Sequence, residues 1–334
     1  MSTSAPTHPG SPTPTDVRPF QVLALDGGGF RGLFMAQVLA DWERQIGRPI
    51  VSCFDLLVGT STGGIIALSL AAGLPAEALV DFYLQDGRDI FPRPRSARRW
   101  ISGARHWFVA KYGSGALEAA LQRRFGSKTM ADLQVPVVIP AFEMHDGKHW
   151  YFKTPHFTGN LLDHDRPIWE VARATAAAPT YFPGFTSSRS EWFIDGGVLA
   201  NNPSLVGYLE VQLNFGQWKS QVKILNIGTE GAESDPPPRR LRWGGLLFWA
   251  KRVPEVLMQS QAVSVESLMG RLLGDQAWLR VKPEHGRGFA PLDHYAPQAY
   301  LAMAASEAAR RFPEAERLFF GHHARTGLVN GRAA

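Results

Sequence analysis

The residues best suited to chemistry lie in one short run, Gly59-Thr60-Ser61-Thr62-Gly63. A Gly-x-Ser-x-Gly spacing is typical of a nucleophile elbow, in which a strand turns sharply into a helix and exposes a serine hydroxyl. Glycine at the flanking positions allows a close backbone approach that a Cβ would prevent. A serine at a helix N-terminus lies where free N–H groups favour developing negative charge. The motif predicts that Ser61 is a nucleophile. A structural turn with a capping serine is the alternative.

A glycine-rich run before this serine is the second candidate. Its residues after Asp26 are Gly27, Gly28, Gly29, Phe30, Arg31 and Gly32. The run fits a dinucleotide-binding loop, but that function needs an acidic residue at the end of the second strand, and Asp55 stands at the start of it. Consecutive glycines also let backbone N–H groups converge on one point, as in an oxyanion hole. For Arg31 two roles stay open, one in holding the loop or an anionic head group and one in an ordinary salt bridge.

A third candidate, Asp195-Gly196-Gly197, follows a short apolar run. It is either a plain turn or a carboxylate presented to Ser61 as its base. A serine hydrolase usually has a histidine between the two groups. The order Ser…Asp…His would suit an α/β-hydrolase with His285 or His294 as the third member, although both histidines stand in polar loops with no strand before them.

The elements that must position these residues alternate along the chain. Strands are predicted at residues 20–25, 54–58, 135–142, 150–153, 191–194 and 222–227, and helices at about 33–46, 62–72, 76–86 and 167–178. This alternation predicts an α/β fold with a mainly parallel sheet and helices on both faces, a three-layer α/β/α arrangement. Neighbouring parallel strands would bring the glycine-rich turn and the serine turn to the same carboxyl edge of the sheet.

The composition limits the class of protein. The chain has 334 residues, 45% of them hydrophobic, a net charge of +5 and one cysteine, Cys53. A single cysteine excludes an internal disulfide and a cysteine-rich metal site. Residues 1–19 are rich in Ser, Thr and Pro and are predicted to be a disordered tail. No run of apolar residues is long enough for a membrane span.

Taken together, the three motifs resemble those of the patatin-like phospholipase family, in the family's order, and residues 174–183 are also similar to it. The resemblance covers residues 20–230, which it implies are a patatin-like catalytic domain. Residues 231–334 are then a C-terminal extension packed on the core. The resemblance implies a Ser61–Asp195 dyad that cleaves fatty-acyl esters of membrane phospholipids, with the glycine-rich run as oxyanion hole and no metal or organic cofactor. A non-catalytic nucleotide-binding sensor is the alternative from another class.

Three further stretches, residues 20–39, 135–154 and 192–202, are similar to the bacterial branch found in CBASS anti-phage systems. That resemblance implies activation by a cyclic dinucleotide such as cGAMP and a cytoplasmic protein that contacts the inner membrane peripherally when active. Residues 88–112 and 239–252 combine basic and aromatic side chains, which suits an anionic bilayer surface. The alternative is a partly buried helix with a solvated basic edge. We expect the nucleotide to bind Arg and aromatic residues of 88–112. The sequence leaves a homo-oligomer open.

Overall fold

The computed structural model describes residues 18–92, 110–156, 161–215, 221–229, 245, 253–284 and 292–329. Four predictions therefore fall wholly or largely outside the described residues. They concern the tail at 1–19, the basic and aromatic segments 88–112 and 239–252, and His285.

Among the described residues, eight strands form one sheet. They are β1 (Phe20–Leu25), β2 (Leu56–Gly59), β3 (Val137–Glu143), β4 (Lys148–Lys153), β5 (Phe185–Thr186), β6 (Trp192–Asp195), β7 (Val222–Ile227) and β8 (Trp278–Val281). The central strands β3, β2, β1, β7 and β8 are parallel neighbours in that order. Strands β4, β5 and β6 pair antiparallel at the β3 end.

Helices cover both faces of this sheet. They are α1 (Gly32–Ile46), α2 (Thr62–Ala71), α3 (Ala76–Gln85), α4 (Gly87–Ile90), α5 (Gly115–Phe125), α6 (Ile168–Thr175), α7 (Gly197–Ala200), α8 (Ser204–Asn214), α9 (Val253–Leu273) and α10 (Pro297–Ala315). The predicted three-layer α/β/α arrangement with a mainly parallel sheet is confirmed.

Alternation along the central strands explains the two covered faces. Leu23 and Leu25 of β1 enter the larger core with α1, α2 and α3. Val22 and Ala24 alternate with these two residues along the strand, and they enter the smaller core with α8 and α9. Because successive side chains of a strand point to opposite faces, a strand buried on both faces is apolar throughout.

Strand β3 brings two distant chain segments end to end. Its residue Val138 pairs with Val58 of β2 on one side, and Ala141 pairs with Asp195 of β6. Strand β4 occupies one side of β3, because it pairs with both Val138 and Ala141. Strands β2 and β6 therefore lie one after the other along the opposite side of β3. Since β6 runs antiparallel to β3 and β2 runs parallel, the carboxyl ends of β2 and β6 face each other across a short gap.

The chain beyond residue 230 adds to the same sheet and to its helical cover. Strand β8 extends the sheet next to β7, and α10 packs along α1. Residues 316–329 return to the opposite edge, where Asp55 accepts hydrogen bonds from the backbone N–H of Arg325 and from His322 Nε2 at 2.8 and 3.0 Å. Asp55 is thus a structural anchor at the edge away from the glycine-rich turn. The domain boundary at 230 stays a prediction.

Gly63→Ala is expected to destabilise the fold by about 2 kcal/mol or more, because overpacked backbone cannot move apart cheaply. A Cβ at Gly63 would lie 2.3 Å from the Leu25 carbonyl oxygen. Gly115→Ala is the matched control, since a Cβ there has no atom within 4 Å. Urea unfolding of both variants measures the difference. Equal stability of the two would contradict the tight β1–α2 contact.

Candidate active site

Ser61 occupies a strained turn between β2 and α2. Its backbone lies at φ 54° and ψ −123°, a region that non-glycine residues rarely adopt. Such a conformation costs about 1–3 kcal/mol and persists only where the surroundings enforce it. Gly59 and Gly63 permit the tight turn, because a Cβ on Gly59 would lie 2.3 Å from the carbonyl oxygen of Gly63. At this residue β2 passes directly into α2, while the nucleophilic role of Ser61 stays a prediction.

The Ser61 hydroxyl points at Asp195. Its Oγ donates to Asp195 Oδ2 at 2.7 Å, and the Gly197 N–H donates to Oδ1 at 2.6 Å. Asp195 is 1% exposed and Ser61 is 9% exposed. Burial raises the pKa of Asp195 to about 7, although the hydrogen bonds from Ser61 and Gly197 and the charge of Arg173 oppose the rise. The carboxyl thus titrates near neutrality, as a general base for a hydroxyl requires.

Thr175, at the end of α6, holds the serine and the aspartate in register. Its Oγ1 accepts from the Ser61 N–H at 2.9 Å and donates to the Pro140 carbonyl at 2.6 Å. The carbonyl groups of Thr175 and Ala177 accept the N–H groups of Gly196 and Asp195. These contacts explain why α6 ends at Thr175, three residues before the predicted end. Thr175 lies within residues 174–183, whose resemblance to a known family assigns it no role, so the sequence does not predict its contacts here.

The glycine-rich turn lies beside the serine. A Cβ on Gly27 would be 3.4 Å from Ser61 Cβ. The N–H of Gly27 donates to the Asn201 carbonyl, and that of Phe30 donates to the Leu292 carbonyl. The N–H groups of Arg31 and Gly32 donate hydrogen bonds within the first turn of the helix that follows.

Two N–H groups of the turn remain for a ligand. Those of Gly28 and Gly29 have no acceptor among the residues that the structure describes. Gly29 lines the same cleft as Ser61. Of the predicted donors Gly27 to Gly32, Gly28 and Gly29 are the two without an acceptor among the described residues, and their role as oxyanion donors stays a prediction.

The remaining predicted residues brace these turns. The Arg31 guanidinium donates from Nε to the Gly28 carbonyl at 3.1 Å, so it holds the loop. Thr60 Oγ1 donates to the Ala200 carbonyl at 2.5 Å, and Thr62 Oγ1 hydrogen-bonds with the Tyr83 hydroxyl. Gly196 allows a close approach, because its Cβ would lie 2.2 Å from the Pro140 carbonyl oxygen.

A buried polar network fixes Asp26, the first residue of the glycine-rich turn. Asn226 Nδ2 donates to its Oδ1 at 2.7 Å, and Arg280 NH2 lies 2.9 Å from its Oδ2. Glu266 of α9 pairs with the same guanidinium at 3.1 Å. Removing one partner of such a buried pair is costly, because it leaves an uncompensated charge. Arg280 carries no sequence signal, since it stands more than 250 residues away in the chain.

An apolar cleft of about 550 Å³ opens at Ser61. Aliphatic and aromatic side chains dominate its wall, among them Ile65, Phe82, Ile90, Phe91, Leu117 and Phe182. The cleft can therefore take an apolar chain whose polar end reaches the serine.

His294, one of the two histidine candidates, does not lie between the serine and the aspartate. His294 is exposed at the surface and meets the Tyr300 ring edge-on at 6.4 Å between centroids. His285 lies outside the described residues.

In the part of the chain that the structure covers, no helix is long and apolar enough to cross a membrane.

Comparison with known proteins identifies similar chains. A family model described as patatin-like phospholipase matches residues 23–206. A Pseudomonas aeruginosa (strain BWHPSA011 / Pa011) protein named cGAMP-activated phospholipase is 37% identical over 291 residues, which cover 84% of both chains. Two proteins of the same name are 38% and 39% identical. The first, from Escherichia coli (strain TW11681), aligns over 67% of both chains. The second, from Vibrio cholerae serotype O1 (strain ATCC 39315 / El Tor Inaba N16961), aligns over 69% of this chain and 70% of its own length.

Asp195→Asn is expected to stabilise the protein more at pH 8 than at pH 5. With a pKa of about 7 in the folded state against about 3.9 unfolded, the stabilisation by the bound proton is complete below about pH 4 and is lost as the pH rises through 7. The asparagine variant has no such loss of stability. Its free energy of unfolding relative to wild type is therefore expected to be higher at pH 8 than at pH 5, by at most about 3 kcal/mol. Urea unfolding at both pH values measures it. Asp165→Asn, at an exposed ion pair, is the control, and equal pH dependence of the two variants would refute the raised pKa.

Proposed function

Because the chain belongs to the patatin-like phospholipase family, a family of carboxylic ester hydrolases, we propose that Ser61 and Asp195 act as a two-residue catalytic pair on the fatty-acyl esters of membrane phospholipids. One observation carries the proposal above all. The Ser61 hydroxyl donates directly to a buried carboxylate at 2.7 Å, and Ser61 forms part of the wall of an apolar cleft.

The proposed reaction has two halves. Ser61 Oγ attacks the ester carbonyl carbon while its proton passes to Asp195 Oδ2, and the carbonyl oxygen becomes an oxyanion. The oxyanion collapses, the bond to the alcohol oxygen breaks, and that oxygen takes the proton from Asp195. Water then gives a proton to Asp195 and attacks the acyl-enzyme, and the proton returns to Ser61 as the fatty acid leaves.

The N–H groups of Gly28 and Gly29 are the proposed oxyanion donors. Both lack an acceptor among the described residues and lie in the turn beside Ser61. Preorganised donors of this kind contribute about 10²–10³ in kcat each. The first turn of α2 adds the favourable end of a helix dipole next to the reacting oxygen.

The alternatives receive less support. A Ser-His-Asp triad needs a histidine between two groups that are already in hydrogen-bond contact. A non-catalytic nucleotide sensor leaves the strained Ser61 backbone and the raised pKa of Asp195 without a purpose. Strain and perturbed pKa values gather at catalytic sites, although they do not prove one.

The substrate class follows from the cleft. Its wall of aliphatic and aromatic side chains suits an acyl chain, and Ser61 belongs to that wall. No metal or organic cofactor takes part in the proposed steps.

Ser61→Ala is expected to lower fatty-acid release from phospholipid vesicles by at least about 10³-fold, because the nucleophile is lost. Asp195→Asn is expected to lose nearly as much, since an amide cannot accept the proton. Both variants should keep the wild-type circular dichroism. His294→Ala is the matched control and should retain full activity. Residual activity of Ser61→Ala above a tenth of wild type would refute the assignment, and inactivity of His294→Ala would favour the triad.

Regulation by a cyclic dinucleotide is the finer part of the proposal. It rests on three relatives named cGAMP-activated phospholipase, each aligned over two thirds or more of this chain. We place the enzyme in the cytoplasm, with peripheral contact to the inner membrane in its active state. In that setting a second messenger made in the cell would start the degradation of the cell's own membrane.

A panel of cyclic dinucleotides tests this regulation. Vesicle hydrolysis is measured with each nucleotide and without any, and cGAMP is expected to raise the initial rate at least tenfold. The Ser61→Ala variant should stay inactive throughout, which excludes a contaminating lipase. Equal rates with and without every nucleotide would reject the regulation and leave the hydrolase assignment intact.

A further inference from the structure

Two N–H groups of the glycine-rich turn, those of Gly28 and Gly29, have no acceptor among the described residues, and to serve as oxyanion donors they must point at the reacting oxygen. Gly28 and Gly29 lack side chains, so nothing of their own fixes their peptide planes. In a trans peptide the carbonyl and the N–H of the following residue point in opposite directions. The described residues contain no cis peptide bond. Whatever holds the carbonyl of Gly27 therefore directs the N–H of Gly28, and whatever holds the carbonyl of Gly28 directs the N–H of Gly29.

Thr229 holds the first of these carbonyl groups. Its Oγ1 donates to the Gly27 carbonyl oxygen at 2.6 Å, and its side chain is 3% exposed. The same side chain packs against Gly28, where an added Cβ would lie 2.3 Å from Thr229 Oγ1 and 2.7 Å from Cγ2. Thr229 thus supports the Gly27–Gly28 peptide by a hydrogen bond and by contact.

The second peptide is held in the same way from inside the motif. The Gly28 carbonyl accepts from the N–H of Arg31 at 3.2 Å and from its Nε at 3.1 Å. Each of these two N–H groups therefore belongs to a peptide whose carbonyl accepts a hydrogen bond on the opposite side. The direction of both N–H groups is thus fixed by hydrogen bonds to the neighbouring carbonyl groups. In a turn whose N–H groups only happened to lack acceptors, this fixing would not be expected at both positions.

The sheet explains why a residue so far along the chain lies here. Leu25 at the end of β1 pairs with Ile227 at the end of β7. Continued by two residues, this parallel register sets Thr229 opposite Gly27. The contact depends on a strand pairing that spans about 200 residues of sequence, so no motif contains it.

We propose that Thr229 is a positioning residue of the oxyanion hole, because its hydroxyl fixes the Gly27–Gly28 peptide and so directs the Gly28 N–H at the reacting carbonyl oxygen. The proposal rests on the function proposed for Ser61. Thr229 does not touch the substrate. Its loss should therefore lower transition-state stabilisation and leave ground-state binding of the acyl chain unchanged.

The test compares Thr229→Val with Thr229→Ser. Valine keeps the shape and removes the hydroxyl, and serine keeps the hydroxyl. With a p-nitrophenyl acyl ester and, where one is needed, the activating cyclic dinucleotide, the valine variant is expected to lose about tenfold to a hundredfold in kcat, with KM within about twofold. The serine variant is expected to recover kcat to within about threefold of wild type.

An inhibitor gives a readout that a purely structural role would not move. An alkyl trifluoromethyl ketone adds to the serine as a tetrahedral oxyanion, so its affinity should fall in Thr229→Val by the same factor as kcat. Thr154→Val, which removes another buried hydroxyl at the opposite sheet edge, is the control and should leave both values unchanged. If Thr229→Val does not fold, as judged by its thermal transition, the pair Thr229→Ala and Thr229→Ser replaces it.

The outcomes separate the two proposals. Wild-type kcat and inhibitor affinity in the hydroxyl-free variant, with Ser61→Ala inactive, would overturn the role of Thr229 alone. A tenfold rise in KM with unchanged kcat would also overturn it, because the residue would then act on substrate binding. Activity of Ser61→Ala would instead overturn the catalytic assignment itself.

Discussion

The hydrogen bond between Ser61 and the buried carboxyl of Asp195 is the contact on which the candidate site depends. It requires a charged group to be taken out of water and set against a hydroxyl, without a histidine between them. The sheet meets this requirement by placing the carboxyl ends of β2 and β6 end to end along one side of β3. Thr175 fills the gap between them and binds both.

This arrangement is costly for the folded state. Ser61 is held in a strained conformation, Asp195 is fully desolvated, and several backbone segments approach so closely that only glycine fits. The surrounding structure offsets these costs with two apolar cores, one on each face of the sheet. Natural proteins often give up stability at a reactive site in this way.

The site draws on chain segments well beyond its three motifs. Arg280 in β8 pairs with Asp26 at the start of the glycine-rich turn, and Leu292 accepts the N–H of Phe30. Thr229 binds the Gly27 carbonyl. The C-terminal part of the chain therefore shapes the proposed oxyanion donors, and a change there can alter catalysis without touching a motif residue.

The sequence by itself determined the local chemistry and the fold class. Gly59 to Gly63 predicts the elbow, because only that spacing of glycines permits so tight a strand-to-helix turn. Apolar runs alternating with helices predict the parallel sheet, because a strand buried on both faces must be apolar throughout. Asp195 was paired with Ser61 through the resemblance to a family, whereas spacing alone left a histidine triad open.

Only the tertiary structure decided which groups meet. Among the described residues it leaves the N–H groups of Gly28 and Gly29 without an acceptor, whereas the other N–H groups of the turn bind Asn201, Leu292 or the helix. It also revealed the contacts of Thr175, Arg280 and Thr229, to which no motif assigns a role. The physical reason is that strand pairing joins residues about 100 to 250 positions apart, and the burial that raises the pKa of Asp195 exists only after those strands have packed.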